Sequence, residues 1–364
     1  FQRGVGDTTD IVQKEMYSFV DKGENYLTLK PESTAAVVRA YIEHRMDSDI
    51  QPVKLYYISP TFRYERPESG RQRQFHQFGI EIFGSDNPSA DVEVISAGYE
   101  LIRRMGIKNV KLHINTLGDV KCRKKYNEIL SDFLESKKDH LCSLCNDRRI
   151  KNPLRTLDCK NENCQNELKT APTILNVIGD ECKAHFEEVK TLLTAMKIPF
   201  IVDTSIVRGL DYYTKTVFEF IAETPNFSGT ICGGGRYNTL VEQIGGKKTP
   251  AVGFGAGMER LLLIQGDKEI LKTCDVFLGY RGKEGKLKAF TLINELRKQG
   301  ISAESDNMER SVKAQMKFAN KIGAKFSAII GEEEIINNKL SLKNMSNGEI
   351  FEVDFSKIID IINY

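Results

Sequence analysis

The sequence predicts an α+β chain: a mixed unit of strands and helices, interrupted by a mostly helical insertion and followed by a separate α/β domain. Three observations predict it. Two extended runs, 54–66 and 74–83, flank the polar stretch 67–73 and read as a long-looped hairpin. Residues 124–136 and 183–196 carry helical periodicity instead, and in the second Phe186, Val189, Leu193 and Met196 share one face. From Cys274 onward strand and helix alternate, the order of a mainly parallel sheet. The expected parts are 1–119 and 201–266 for the mixed unit, 120–200 for the insertion and 274–364 for the last domain. The boundary link falls near Gly266 to Thr273.

Size and composition agree with this. A chain of 364 residues allows two or three domains with a sizeable core. Hydrophobic residues make up 40% and charged residues 28%, the balance of an ordinary globular protein. No apolar run reaches about 18 residues, so no membrane partner is expected. Eight cysteines without a secretory pattern point to a reducing compartment, and the cytoplasm is the expected location. Phe1, not Met, opens the chain, and an N-terminal segment is expected to be absent. The net charge of +2 neither demands nor excludes nucleic acid.

The elements follow in order. Tyr26 to Lys30 is a short strand stopped by Pro31. Residues 34–46 form a helix, with Val37, Val38, Tyr41 and Ile42 at helical spacing and Ser33 or Thr34 available as cap. Strand patterns return at 201–222 and 229–233, after which Gly233-Gly234-Gly235 leads into a short helix. Ala251 to Gly257 is a glycine-rich strand running into the helix Met258 to Gln265. The last domain places the strands CDVFLGY, ISAES and FSAIIG around helices at 284–299 and 309–323.

The hairpin holds the first candidate site. If Arg66 pairs with Gln74, Arg63 lies opposite Gln77 and Ser59 opposite Glu81. Arg63, Glu65, Phe75, Gln77, Gly79 and Glu81 then share one face, and Phe62, Tyr64, Phe78, Ile80 and Ile82 the other. A charged face on an antiparallel sheet is commonly just solvated. This one contains Gly79, which leaves room for a flat group, and it mixes Arg, Gln, Glu and Phe, the groups that bind an anion, a polar ligand and an aromatic base. Glu32, at a helix start, serves either the helix dipole or a cationic ligand. Arg208-Gly209-Leu210-Asp211-Tyr212-Tyr213 alone reads equally as a bulge. In Gly253-Phe254-Gly255-Ala256-Gly257-Met258-Glu259-Arg260 a dinucleotide fingerprint fails, because its third glycine would fall on Met258. Arg260 sits in the first turn of a helix, which argues mildly for an anionic partner.

Together these segments resemble a class II aminoacyl-tRNA synthetase, specifically the bacterial-type histidyl-tRNA synthetase family. FRYER…RQRQFHQFGIEIFG at 62–83 is similar to the second class motif and GFGAGMERLL at 253–262 to the third. LKPEST at 29–34, VRGLDYYTKTVFEF at 207–220 and CGGGRYN at 232–238 resemble the signatures that separate the histidine enzyme from its class relatives. The resemblance implies an antiparallel catalytic sheet, an anticodon-binding α/β domain and a two-step reaction. Histidine and ATP give histidyl-adenylate and pyrophosphate, with Mg²⁺ on the phosphates. The histidyl group then passes to the 3′ end of tRNA-His, and a homodimer is expected for the full-length family member.

Carried over by motif position, the resemblance implies that Arg63 and Arg208 are catalytic and grip the α-phosphate, Arg63 also meeting the histidine carboxylate. Phe75 stacks on adenine, Arg260 covers the ring and meets the γ-phosphate, and Arg71 meets the outer phosphates. Glu32, Ser33, Thr34, Gln77 and Glu81 hold histidine, while Tyr212, Tyr213 and Tyr237 line its imidazole. Arg66 and the loop after it touch the acceptor end of tRNA. In the last domain Lys313, Lys317, Lys321 and Lys325 form a basic helix face, suited to phosphate or merely solvated.

The sequence departs from the family in two places. Most of the first class motif is missing, and Phe1 to Val12 resembles the stretch just after it. The insertion also carries Cys142-x2-Cys145 and Cys159-x4-Cys164, thirteen residues apart, with Cys182 nearby. Four thiolates would make a closed zinc site, but the spacing is loose and the family has no general need of zinc. No metal is assigned there, and free reduced thiols are the alternative. A competing reading of the whole chain is the regulatory paralogue that senses histidine for ATP phosphoribosyltransferase without charging tRNA. That paralogue usually lacks the anticodon domain and loses motif arginines. A third, a nucleic-acid-binding α/β protein without catalysis, explains the lysines but leaves the hairpin face unused.

Overall fold

The computed structural model describes Gly4, Gly6, Thr9 and residues 11–224, 227–266 and 274–362. The expected boundary link lies outside these residues from position 267 on, as does much of the stretch Phe1 to Val12. The chain divides into two compact units, Phe1–Asp267 and Lys268–Tyr364.

In the first unit a small hairpin, β1 (Ser18–Val20) with β2 (Tyr26–Thr28), precedes helix α1 (Thr34–Glu43). A seven-stranded sheet follows, built from β3 (Val53–Phe62), β4 (Gln74–Phe83), β5 (Val110–Thr116), β6 (Ile201–Val202), β7 (Thr214–Thr224), β8 (Phe227–Arg236) and β9 (Ala251–Gly257). Their order is β3-β4-β9-β8-β7-β5-β6. All pairs are antiparallel except β5 with β6. Helices Pro88–Arg104 and Asp180–Ala195 cover one face. There Ile82, Val94, Ile95, Phe186, Val189, Leu193, Phe218, Phe220, Val252 and Phe254 form one buried cluster. Each such side chain contributes about 1.5–3 kcal/mol by leaving water.

Strand alternation decides what the other face carries. On β9, Val252, Phe254 and Ala256 point into the cluster, so Gly253, Gly255 and Gly257 face the other way. The helix Thr34–Glu43 and the insertion helix Val120–Ser136 close part of that second face, with Val38, Tyr41, Tyr126, Leu130 and Leu134 in a second cluster. The rest of the face stays open. Between β5 and β6, the described chain holds four α-helices, Val120–Ser136, Ser143–Lys151, Glu162–Leu168 and Asp180–Ala195, joined by links that each contain one 3-10 turn.

The hairpin register corrects the sequence expectation. Phe62, not Arg66, pairs with Gln74, and Ser59 lies opposite Gln77 and Leu55 opposite Glu81. The strand ends four residues early: the Arg63 N–H still donates to Arg73 O as a last rung, but the Tyr64 N–H turns away to Glu15 O and a longer loop follows. A shift of four is even, so every side chain keeps its expected face. The apolar face is less buried than expected, since β3 is the sheet edge: Tyr56, Ile58 and Tyr64 are exposed.

The second unit has five strands in the order β11-β10-β12-β13-β14: β10 (Cys274–Tyr280), β11 (Ala303–Glu304), β12 (Ala324–Ile330), β13 (Lys339–Asn344) and β14 (Ile350–Asp354). The first three are parallel and the last two add antiparallel, so the sheet is mixed. The lysine stripe needs correction. The helix is Val312–Lys321, and Gly323 at φ 69° turns the chain before β12. Lys325 is therefore a strand residue, paired with Asp275 at 2.7 Å, and only Lys313, Lys317 and Lys321 share the exposed helix face.

Candidate active site

The open part of the glycine-bearing face is a cleft of about 250 Å³. Its floor comes from register. Gly255 on β9 lies beside Gly233 on β8, two positions without side chains that line the cleft; Gly79 on β4 is next in the row, but the room expected there is filled, since a Cβ on Gly79 would lie 2.3 Å from the Tyr57 hydroxyl. Glu219 on β7 continues the row opposite Gly233. The absence of Cβ atoms is required: one on Gly233 would lie 2.5 Å from Arg208 Nη1.

Both predicted catalytic arginines line this cleft, and they reach it from separate segments. Arg63 follows β3; its Nε donates to Pro31 O at 2.8 Å, and its guanidinium lies over Phe75 at 5.5 Å. Arg208 comes from the loop before β7 and forms an ion pair with Glu219, while Tyr213 lies 5.4 Å beneath it. Burial opposes its charge, but Glu219 more than offsets this and holds the guanidinium protonated.

The predicted nucleotide residues lie in the same cleft. Phe75 is on its wall. Arg71, half-exposed, bridges Glu68 at 3.1 Å and Glu65 at 3.6 Å. Arg260 donates to Gly70 O at 2.6 Å and Thr230 O at 2.8 Å, so it ties the loop after β3 to β8. Protein carbonyls thus already satisfy part of the guanidinium that sequence reasoning reserved for an anion. Arg66 is exposed on the loop.

The predicted histidine residues divide. Gln77 lines the cleft, and its Oε1 is buried without a hydrogen-bond partner. The others are packed beside the cleft rather than on its open wall. Glu32 accepts backbone N–H bonds from Thr34 at 2.7 Å and Ala35 at 2.8 Å, so it also serves as the anionic cap of α1. Ser33 Oγ meets Ser59 Oγ at 2.7 Å. Glu81 accepts from Thr34 Oγ1 at 2.9 Å and from the Tyr237 hydroxyl at 2.6 Å. Tyr237 lies 5.6 Å from Tyr212, which lies 4.6 Å from Tyr213. These side chains form one buried chain from Glu32 round to Arg208. Burial pushes the Glu81 carboxyl up to about 8, against the hydrogen bonds of Tyr237 and Thr34. Burial also raises Glu32, partly countered by its two backbone donors.

Sequence reasoning missed Glu219 and Glu259. Glu219 holds Arg208 and accepts from Thr230 Oγ1 at 2.6 Å. Its only signal was an acid inside the aromatic strand Val217-Phe218-Glu219-Phe220. Glu259 reaches back to the His76 backbone N–H at 2.8 Å and to its ring Nδ1 at 3.0 Å. Chemically, the cleft sets four guanidiniums around a flat floor, next to buried carboxylates. That combination suits a polyphosphate bearing a planar base beside a small cation.

An antiparallel catalytic sheet with this cleft, followed by an α/β unit, defines a class II aminoacyl-tRNA synthetase. Residues 3–261 match the family described as histidyl-tRNA synthetase and residues 277–363 that of the anticodon binding domain. A histidine–tRNA ligase of Thermoanaerobacter sp. is 53% identical over 98% of this chain and 87% of its own length. One from Clostridioides difficile is 50% identical over 99% and 87%. The apo histidyl-tRNA synthetase of S. aureus superposes with a TM-score of 0.79 at 41% identity, covering 96% of this chain and 87% of that one. The chain belongs to the histidyl-tRNA synthetase family and is an aminoacyl-tRNA ligase for histidine.

Proposed function

We propose that the cleft activates histidine with ATP and passes the histidyl group to the 3′ end of tRNA-His, with the residue roles that follow. The observation that carries this is the arrival of Arg63 and Arg208, from separate segments, at one cleft over the glycine row. A histidine carboxylate oxygen attacks the α-phosphorus, the bridging P–O bond breaks, and pyrophosphate leaves with the electron pair. Two guanidiniums placed there stabilise the charge that builds on the phosphoryl oxygens, and they need no reorganisation as it develops. The ribose hydroxyl of the tRNA 3′ end then attacks the activated carbonyl, and AMP leaves.

Phe75 stacks on adenine beside Gly255 and Gly257, which line the cleft without side chains, while Arg260 and Arg71 take the outer phosphates. Glu65 and Glu259 stand on the same wall, now engaged by Arg63 and Arg71 and by His76, and would supply hard oxygen donors to a Mg²⁺ ion. When bound, that ion neutralises phosphate charge. Glu32, Thr34 and Glu81 receive the cationic groups of histidine. Gln77 Oε1, an orphaned buried acceptor, takes one of its N–H donors, and Tyr212, Tyr213 and Tyr237 wall the imidazole. A competitor without imidazole leaves such groups unpaired.

Arg66 and the loop after it face the tRNA acceptor end, and Lys313, Lys317 and Lys321 the tRNA backbone. The exposed apolar groups Phe19, Val20, Tyr26, Leu27, Tyr56 and Ile58 on edge strands support a homodimer. Eight free cysteines support a cytoplasmic location, and no described helix is long and apolar enough to cross a membrane. Histidine-dependent exchange between ATP and pyrophosphate tests the proposal; a purified, folded chain that exchanges with no amino acid refutes it.

A further inference from the structure

The insertion gathers four cysteines that the reaction does not use. Cys142 stands at the N-cap position of the helix Ser143–Lys151 without a side-chain capping bond, and Cys145 lies in its first turn. Cys164 lies in the first turn of Glu162–Leu168, whose cap is Asn161, and Cys159 precedes that turn. All four sulfurs lie within 4.8 Å of one another. Cys142 and Cys159 sulfurs are 3.9 Å apart. A tetrahedral zinc about 2.3 Å from each sulfur would place the sulfurs about 3.8 Å apart, so the ion fits with little movement. Cys145, Cys159 and Cys164 are buried, and Cys142 is partly so. Backbone amides already point at the sulfurs: Cys142 N–H donates to Cys164 Sγ at 3.1 Å and Asn161 N–H to Cys159 Sγ at 3.4 Å. Such donors stabilise thiolate over thiol and orient it as outer partners of a metal site do.

We propose that Cys142, Cys145, Cys159 and Cys164 bind one zinc ion in a closed tetrahedral site that organises the insertion. Binding releases four thiol protons to solvent and leaves two net negative charges on the centre. Two cations, Arg148 and Arg155, line a groove with Cys142 and Cys159, together with the ion pair of Lys160 and Asp158. Arg63, Arg71 and Arg260 line the same groove, so the ion braces a wall that borders the active cleft. Four soft sulfurs and no open position select zinc over magnesium and give it a structural, not a catalytic, task. The competing state is a nest of four reduced thiols.

The test is elemental analysis of the full chain purified without chelator, then chelation and reconstitution with cobalt(II). The expected results are one zinc per chain, or one cobalt taken up, with the intense sulfur-to-metal and tetrahedral d–d bands of a tetrathiolate. Cys142→Ser/Cys159→Ser should lose both. If that variant does not fold, the cobalt spectrum of the unaltered chain decides alone. Neither zinc on purification nor a tetrathiolate spectrum on reconstitution overturns the proposal. So does zinc that a folded double variant retains.

Discussion

Arg208 is held over Gly233 by Glu219, so that a loop residue is fixed by a residue at the centre of β7. The carboxylate sits opposite Gly233 and is itself oriented by the Thr230 hydroxyl. A guanidinium on a mobile loop would pay for its placement at each turnover, whereas this one is placed beforehand. Arg208→Ala should therefore lower histidine-dependent exchange by roughly 10²–10³ while ATP binding largely survives. Glu219→Gln keeps size and one acceptor and should cost less, about tenfold. Equal losses from the two substitutions would mean that Glu219 does more than aim its partner.

Gly233→Ala tests the same geometry without touching a charge. The added methyl would lie within 3 Å of three guanidinium atoms of Arg208, and the side chain must swing away. Exchange should fall toward that of Arg208→Ala, with thermal stability changed by at most about 1 kcal/mol. Normal exchange in this variant would place the working position of Arg208 elsewhere.

Much of this was legible in the sequence, and the limits have physical causes. The face on which Arg63, Gln77 and Glu81 stand follows from strand alternation, and it survived a register error of four because that error is even. The register itself depends on where the hairpin loop begins, which the Tyr64-to-Glu15 hydrogen bond marks and no hydrophobic pattern reports. Lys325 was misplaced because helical spacing continues past a glycine turn that breaks the helix. Of the two readings of Glu32, the helix cap is what its hydrogen bonds show, while the cationic ligand is a proposal that sequence position alone could not separate from it. The Arg208–Glu219 pair joins a loop to a strand, and periodicity carries no information about loops.

Glu81 makes the site sensitive to pH. Burial raises its folded pKa to about 8, above the ordinary 4.5 of an unfolded chain. The folded state therefore binds the extra proton between those values. The stability this contributes is complete below about 4.5 and lost as pH climbs through about 8, at up to roughly 1.4 kcal/mol per pH unit. Glu32 shifts in the same direction, so Glu81→Gln should flatten, not abolish, the decline of Tm with rising pH. Its loss of the carboxylate should also abolish histidine-dependent exchange. In the unaltered chain, a cationic ligand group favours ionised Glu81, so histidine binding near neutrality should release a proton. Isothermal titration in buffers of different ionisation enthalpy reads that release directly; no buffer dependence would contradict a neutral Glu81 in the free site.

Arg236, within the signature CGGGRYN, never reaches the cleft. Its side chain is fully buried and pairs with the equally buried Asp91, while Nη1 donates to Ser85 O at 2.7 Å and Nη2 to Asn87 O at 3.2 Å. The pair joins β8 to the start of the helix Pro88–Arg104, and His185 Nε2 lies 3.3 Å from the same carboxylate. Burial alone would favour a neutral Asp91, but the neighbouring His185 ring and the Arg236 guanidinium hold its pKa below the ordinary value. Removing one partner leaves a charge stranded in the core. Arg236→Met should cost about 3–5 kcal/mol in chemical denaturation. Replacing both partners, Arg236→Met/Asp91→Leu, should recover a part of that loss, because no uncompensated charge remains. A double variant as unstable as the sum of the singles would show that the carbonyls of Ser85 and Asn87, left without their donor, matter more than the ion pair.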